Sequence, residues 1–157
     1  MKAIVATVLT LLAAAAGASA EDRHGVRPGM GLAAVEAALK GRCKEVTVTG
    51  DSDRFVSCRF DDREDGAFVA ITISPKDRTY FVSWREPAEG GTDEYARKVA
   101  ADLGFAGAGS DCRLYDYDML CWTGADGTVL YSAETDSQGR YVSYLINEAI
   151  EQADTAE

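Results

Sequence analysis

The sequence predicts an α+β fold: a tandem repeat in which a helix precedes about four antiparallel strands, with one disulfide in each repeat. Three observations predict it. The four cysteines form two pairs, Cys43 with Cys58 and Cys112 with Cys121, and each pair brackets a hairpin-length segment. Short runs of alternating β-branched and aromatic residues recur between turns rich in Gly and Asp. The order helix, Cys, hairpin, Cys, two further strands occurs twice.

The first segment, MKAIVATVLTLLAAAAGASA, reads as an export signal over residues 1–20. Lys2 supplies the positive start, Ile4 to Gly17 the apolar stretch, and Ala18-Ser19-Ala20 the small-residue cleavage site. That places the expected mature chain in the periplasm or outside the cell, with no membrane insertion after cleavage. Exported chains keep disulfides. An even cysteine count therefore reads as bridges; three connectivities are possible, and the bracketed hairpins favour Cys43–Cys58 with Cys112–Cys121. Neither pair has the close spacing of a zinc site or a C-x-x-C redox motif.

The first repeat is expected over residues 21–86. Met30, Leu32, Val35 and Leu39 recur at helical spacing between Pro28-Gly29 and Gly41. KEVTVT (44–49) and RFVSCRF (54–60) read as strands around GDSD, and a turn centred on Gly50-Asp51 sets Cys43 opposite Cys58. AFVAITI (67–73) puts Val69, Ile71 and Ile73 on one face; RTYFVSWR (78–85) does the same for Tyr80, Val82 and Trp84. EPAEGG (86–91) is the linker-like run, and the linker between repeats is set at 87–92. The second repeat, 93–157, opens on the helix DEYARKVAADLG, with Asp93 as N-cap and Tyr95, Val99 and Leu103 along one face. The Cys112–Cys121 hairpin follows, then TVLYSAE (128–134), GRYVSYLI (139–146) and a short tail. VEAAL (35–39) matches VAADL (99–103), and FVSW (81–84) matches YVSY (141–144), making Tyr141 and Ser143 the counterparts of Phe81 and Ser83.

Charge narrows the partners. The chain carries −10 formally, −11 without Lys2, which argues against nucleic acid and anionic membrane surfaces. DDREDG resembles the start of a calcium loop, but Arg63 and Thr72 occupy ligand positions, so a solvated turn is expected and no metal. Asp116 and Asp118 read as a polar hairpin tip, and Trp84 and Trp122 as core. His24 is the only histidine. With every cysteine paired, the usual triad and zinc-water mechanisms have no parts, and a non-enzyme needing no cofactor is expected.

The run G-M-x-x-x-x-V-x-x-x-L at Gly29 to Leu39, followed by Cys, hairpin, Cys and further strands, resembles the β-lactamase-inhibitor-protein fold. Its Gly-Met start is also similar to that of the small lipoprotein of the outer-membrane assembly machinery, a related single-unit fold. The second half lacks the Gly-Met start, and no lipid-bearing cysteine is present. The resemblance implies a binding module that clasps another exported or envelope protein with its sheet face. It places Asp65 in an acidic loop, with Phe68 beginning the next strand. The expected binding set is Asp65, Phe68, Phe81, Arg85, Tyr115, Tyr117 and Tyr141. The alternative is a small-ligand carrier or a carboxylate-dependent hydrolase.

Overall fold

The computed structural model describes residues 24–62 and 66–156. It is α+β, with eight antiparallel strands in one sheet, three helices and two disulfides. In chain order the elements are α1 (Leu32–Leu39), β1 (Glu45–Thr49), β2 (Arg54–Arg59), β3 (Phe68–Ile73) and β4 (Thr79–Pro87). Then come α2 (Thr92–Asp102), β5 (Ser110–Leu114), β6 (Tyr117–Thr123), β7 (Val129–Thr135), β8 (Arg140–Ile146) and α3 (Glu148–Thr155). The strands lie in the order β1-β2-β3-β4-β8-β7-β6-β5, so two four-stranded meanders meet where β4 pairs with β8.

One face of the sheet is apolar because strand alternation places Val56, Val69, Ile71, Val82, Trp84, Leu130 and Leu145 on it. Val35 and Leu39 of α1 and Ala96, Val99 and Ala100 of α2 join those residues in one core that runs across both meanders. Residues buried from water on both layers are what hold a sheet of short strands together.

Helix α1 is rich in alanine and leucine, which favours the helix intrinsically. Its N-cap, Gly31, has no side chain to offer. Asp77, from the β3–β4 turn, supplies the missing acceptor: the Leu32 N–H donates to its Oδ1 at 3.0 Å, and Arg54 donates to the same atom at 2.5 Å. A Cβ on Gly31 would stand 2.5 Å from Asp77 Oδ2, so this close approach needs glycine. Helix α2 is capped at Gly91, not at the expected Asp93; Asp93 and Glu94 instead sit in its first turn, where carboxylates oppose the helix dipole.

Helix α3 takes the place of the expected tail. Asn147 caps it by accepting from the Ile150 N–H at 3.1 Å. Its Asp154 carboxylate is buried against the β3–β4 turn, accepting from Ser74 Oγ at 2.6 Å and Arg78 Nε at 2.9 Å, with a second guanidinium contact to Oδ1. The Arg78 guanidinium, helped by Ser74 and opposed by burial, holds this carboxyl at about 2.

Both expected disulfides form, with Cα separations of 5.4 Å for Cys43–Cys58 and 6.0 Å for Cys112–Cys121. The first hairpin is set differently from the expectation, because Val46 and not Cys43 stands opposite Cys58. Cys43 lies before β1, its N–H held by Leu39 O, and reaches Cys58 under α1. A register shift between Thr72 and Ile73 also takes Tyr80 out of step with Val82 and Trp84.

Candidate functional site

The second face of the sheet is not covered by α1 or α2, and its side chains are of another kind; α3 borders it at one end. Pairing register fixes its rows. Phe55, Thr72, Phe81 and Ile146 form one row across β2, β3, β4 and β8; Ser57, Ala70, Ser83 and Tyr144 form the next; Arg59, Phe68, Arg85 and Val142 form the third. Rows on one face lie roughly 7 Å apart along the strand direction. Across β2, β3 and β4 the middle row of Ser57, Ala70 and Ser83 is thus a trough between an aromatic wall and a wall of arginine and phenylalanine, closed at β8 by Tyr144.

This face is concave. Five strands lie between β2 and β5 in the sheet order, which in a flat sheet would separate them by about 29 Å. Yet Phe55 of β2 and Leu114 of β5 line one groove of about 410 Å³, together with Thr72, Tyr80, Phe81, Tyr115, Ile146, Glu148 and Glu151. The sheet curls until the β5–β6 hairpin tip faces the aromatic row.

That tip is held in a costly conformation. Leu114 pairs with Tyr117, so Tyr115 and Asp116 make the whole turn, and Tyr115 has φ 55. This left-handed region suits glycine and costs other residues roughly 1–2 kcal/mol. Tyr115 is nevertheless 71 % exposed, so burial among the described residues does not offset that cost, and Tyr117 beside it is 49 % exposed.

At the other end of the face a second recess of about 220 Å³ is lined by Arg59, Gly66, Ala67, Phe68, Arg85, Gln138 and Arg140. Asp136 organises it. Its carboxylate accepts from the N–H groups of Gln138 and Arg140 and from Arg140 Nε, each at 2.9 Å, and lies 3.5 Å from Arg85 Nε. Burial alone would raise its pKa, but these Arg140 and Gln138 donors hold it below the usual carboxylate range. Arg140 also reaches across the strand ends to donate to Gly66 O at 3.1 Å. The Arg85 guanidinium sits 5.6 Å from the centre of the Phe68 ring.

Of the expected binding residues, Phe68, Phe81 and Arg85 share this face, and Tyr115 meets Phe81 across the groove. Tyr117 is exposed beside the tip, and Asp65 lies outside the described residues. Tyr141 is a correction. It pairs with Glu86, whereas Phe81 pairs with Ile146, so the two rings have opposite parity in the sheet. Tyr141 is 5 % exposed on the helix-covered face, 4.7 Å from the Tyr95 ring, with its hydroxyl donating to Gly90 O. Ser143 goes with it, buried and hydrogen-bonded to Ser132 at 2.6 Å. Matching YVSY to FVSW aligned similar letters one residue out of phase, and one residue flips every side chain to the other face.

The residue that takes the expected place is Tyr144. It stands beside Phe81, ring centres 5.8 Å apart, and its hydroxyl donates to Glu134 at 3.1 Å. Burial, then the charge of Glu134, pushes that hydroxyl well above its ordinary pKa. Phe55, Arg59 and Arg140 also belong to this face. Phe55 was within reach of sequence reasoning, since RFVSCRF alternates it against Val56.

Among the described residues no cluster of side chains suited to holding a metal ion occurs, and no helix is long and apolar enough to cross a membrane. The two disulfides fit an oxidising compartment. No family model, curated protein or solved structure matches the chain.

Proposed function

We propose that the chain is an exported, non-catalytic protein-binding module, inhibitor-like or an envelope accessory factor, that grips its partner with the concave sheet face. The observation carrying this reading is the composition of that face: Phe55 is 52 % exposed, and Phe81, Tyr144, Phe68 and Arg85 stand beside it half-buried. Aromatics and arginine are the residue types that dominate binding energy at interfaces. The strained Tyr115 tip adds to it, because a backbone conformation unfavourable for folding points to a role outside folding.

The same reading takes the chain as a duplicated unit of helix and four strands, by analogy with the β-lactamase-inhibitor-protein fold. The symmetric strand order supports it. The disulfides differ between the halves: Cys58 is buried beneath α1, whereas Cys121 lies on the concave face with Tyr131 and Ser110. A duplication would therefore have acquired its bridges separately. The alternative, a small-ligand carrier or carboxylate-dependent hydrolase, draws on Glu148 and Glu151, which share the wall of the aromatic groove.

Affinity capture from the exported protein fraction tests the reading, with oxidised wild-type chain and a Phe55→Ser/Phe81→Ser variant as baits. A partner held by the wild type and released by the variant is the expected result. Equal capture by both baits moves the site off this face, and an empty capture by folded bait favours the carrier or hydrolase.

A further inference from the structure

We infer that the groove between the aromatic row and the β5–β6 tip receives a basic side chain, an arginine above all, from a loop of the partner. It rests on the concave-face binding reading and gives that partner a chemistry. The alkyl stem lies on the rings of Phe55, Phe81 and Tyr115, and the guanidinium reaches Glu148 and Glu151.

The rings make the first argument. Phe55, Tyr80, Phe81 and Tyr115 converge from β2, β4 and the β5–β6 tip on one groove of about 410 Å³. An aromatic face attracts a cation and packs against an alkyl stem, and arginine offers both. The rim rings stay open to water, Phe55 at 52 % and Tyr115 at 71 % exposure. A free small cation would leave them uncovered, whereas small-molecule sites enclose most of their ligand. A side chain carried on a partner's surface brings its own cover.

Charge makes the second. Two carboxylates, Glu148 and Glu151, line the groove, and no basic residue does. They lie three apart on α3, which sets them on one side of the helix. Among the described residues neither carboxylate accepts a hydrogen bond or joins an ion pair. Basic side chains of the surrounding elements are directed elsewhere: Arg54 to Asp77, Lys76 and Arg78 to Asp154, and Arg113 to Asp118. Arg59 and Arg85 stand two rows away, about 14 Å along the strands. Asp53 adds a third acid, its Oδ1 buried without a hydrogen-bond partner among the described residues. Burial, then the charges of Asp53 and Glu151, raises the Tyr80 hydroxyl above its ordinary pKa. An aromatic groove in a negative field selects a cation, and a net charge of −10 steers basic surfaces towards it.

The experiment is selection of a random-peptide phage library on the oxidised chain and on its Glu148→Gln/Glu151→Gln and Phe81→Ser variants. Both acids also sit in the first turn of α3, where they complement the helix dipole, so each variant is checked for folding by urea titration. The wild type is expected to enrich peptides with an arginine beside apolar residues. On the double glutamine variant the arginine should vanish from the consensus while the apolar residues stay. A synthetic consensus peptide should bind that variant about ten- to a hundredfold more weakly. Replacing its arginine by citrulline, which keeps the shape and removes the charge, should weaken wild-type binding similarly and make it insensitive to the glutamine changes. Glu36→Gln/Glu89→Gln, an equal change of charge at exposed residues outside the groove, should leave binding as in the wild type. A consensus without a basic residue that Phe81→Ser abolishes keeps the concave face and sinks the arginine site. A basic consensus that survives Glu148→Gln/Glu151→Gln, or that Glu36→Gln/Glu89→Gln weakens equally, sinks it too. Enrichment unmoved by any variant, or none at all, sinks both readings. Free argininamide binding as tightly as the peptide would assign the groove to a small cation instead.

Discussion

The two faces of the sheet are built from the same strands and obey opposite rules. The covered face is filled with Val, Ile, Leu and Trp at or near zero exposure, two helices lying on it. The concave face holds Phe, Tyr and Arg at intermediate exposure over a floor of Ser and Ala. This second face keeps apolar rings together at the surface, ranged around a trough, which is the pattern the proposed contact role expects.

The comparison breaks most visibly under substitution. Trp84→Ala, at a fully buried ring, should destabilise the fold by about 3–5 kcal/mol in a urea melt. If it melts like the wild type, the covered face is not the core. Next come the bridges. The 15- and 9-residue separations give about 3 and 2.5 kcal/mol in the chain-entropy model. Replacing Cys43 and Cys58 by serine also puts a hydroxyl into the core beneath α1, so that pair should lose more stability than Cys112 and Cys121.

Acid sharpens the account of α3. Asp154 titrates at about 2 in the fold against an ordinary 3.8, so its contribution is fully present above that ordinary value. It is lost as pH falls towards 2. Urea midpoints measured between pH 5 and 2 should fall for the wild type, and Asp154→Asn should be less stable at pH 5 with a flatter profile. A parallel decline in both would remove Asp154 as the cause.

The smallest effects belong to the concave face and its tip. Tyr115→Gly should raise stability by about 0.5 kcal/mol, the relief of a left-handed tyrosine outweighing the added chain entropy. Phe55→Ser should change it by no more than about 0.5 kcal/mol. A large loss from Phe55→Ser would make its ring a core element and erase the distinction between the faces.

Much of this architecture was legible in the sequence. Alternation located the strands, and the bracketing cysteines were the ones that pair. Local signals for α3 were present too, in Asn147 followed by Glu148 and Glu151, though weak beside the strand before them. What sequence could not give was parity across the sheet. Whether Tyr141 or Tyr144 faces Phe81 depends on which residues of β4 and β8 pair, a long-range register that no local pattern encodes. The arginine recess was hidden for the same reason, since Arg59, Arg85 and Arg140 converge only when three separate strands align.

The most direct test of the concave face as the working surface is side-chain hydroxyl-radical footprinting of the chain alone and with its captured partner. Protection of Phe55, Phe81 and Tyr115, with Val46 and Val48 of β1 unchanged, is the result this account predicts. Protection of Val46 and Val48 while the three rings stay reactive would contradict it.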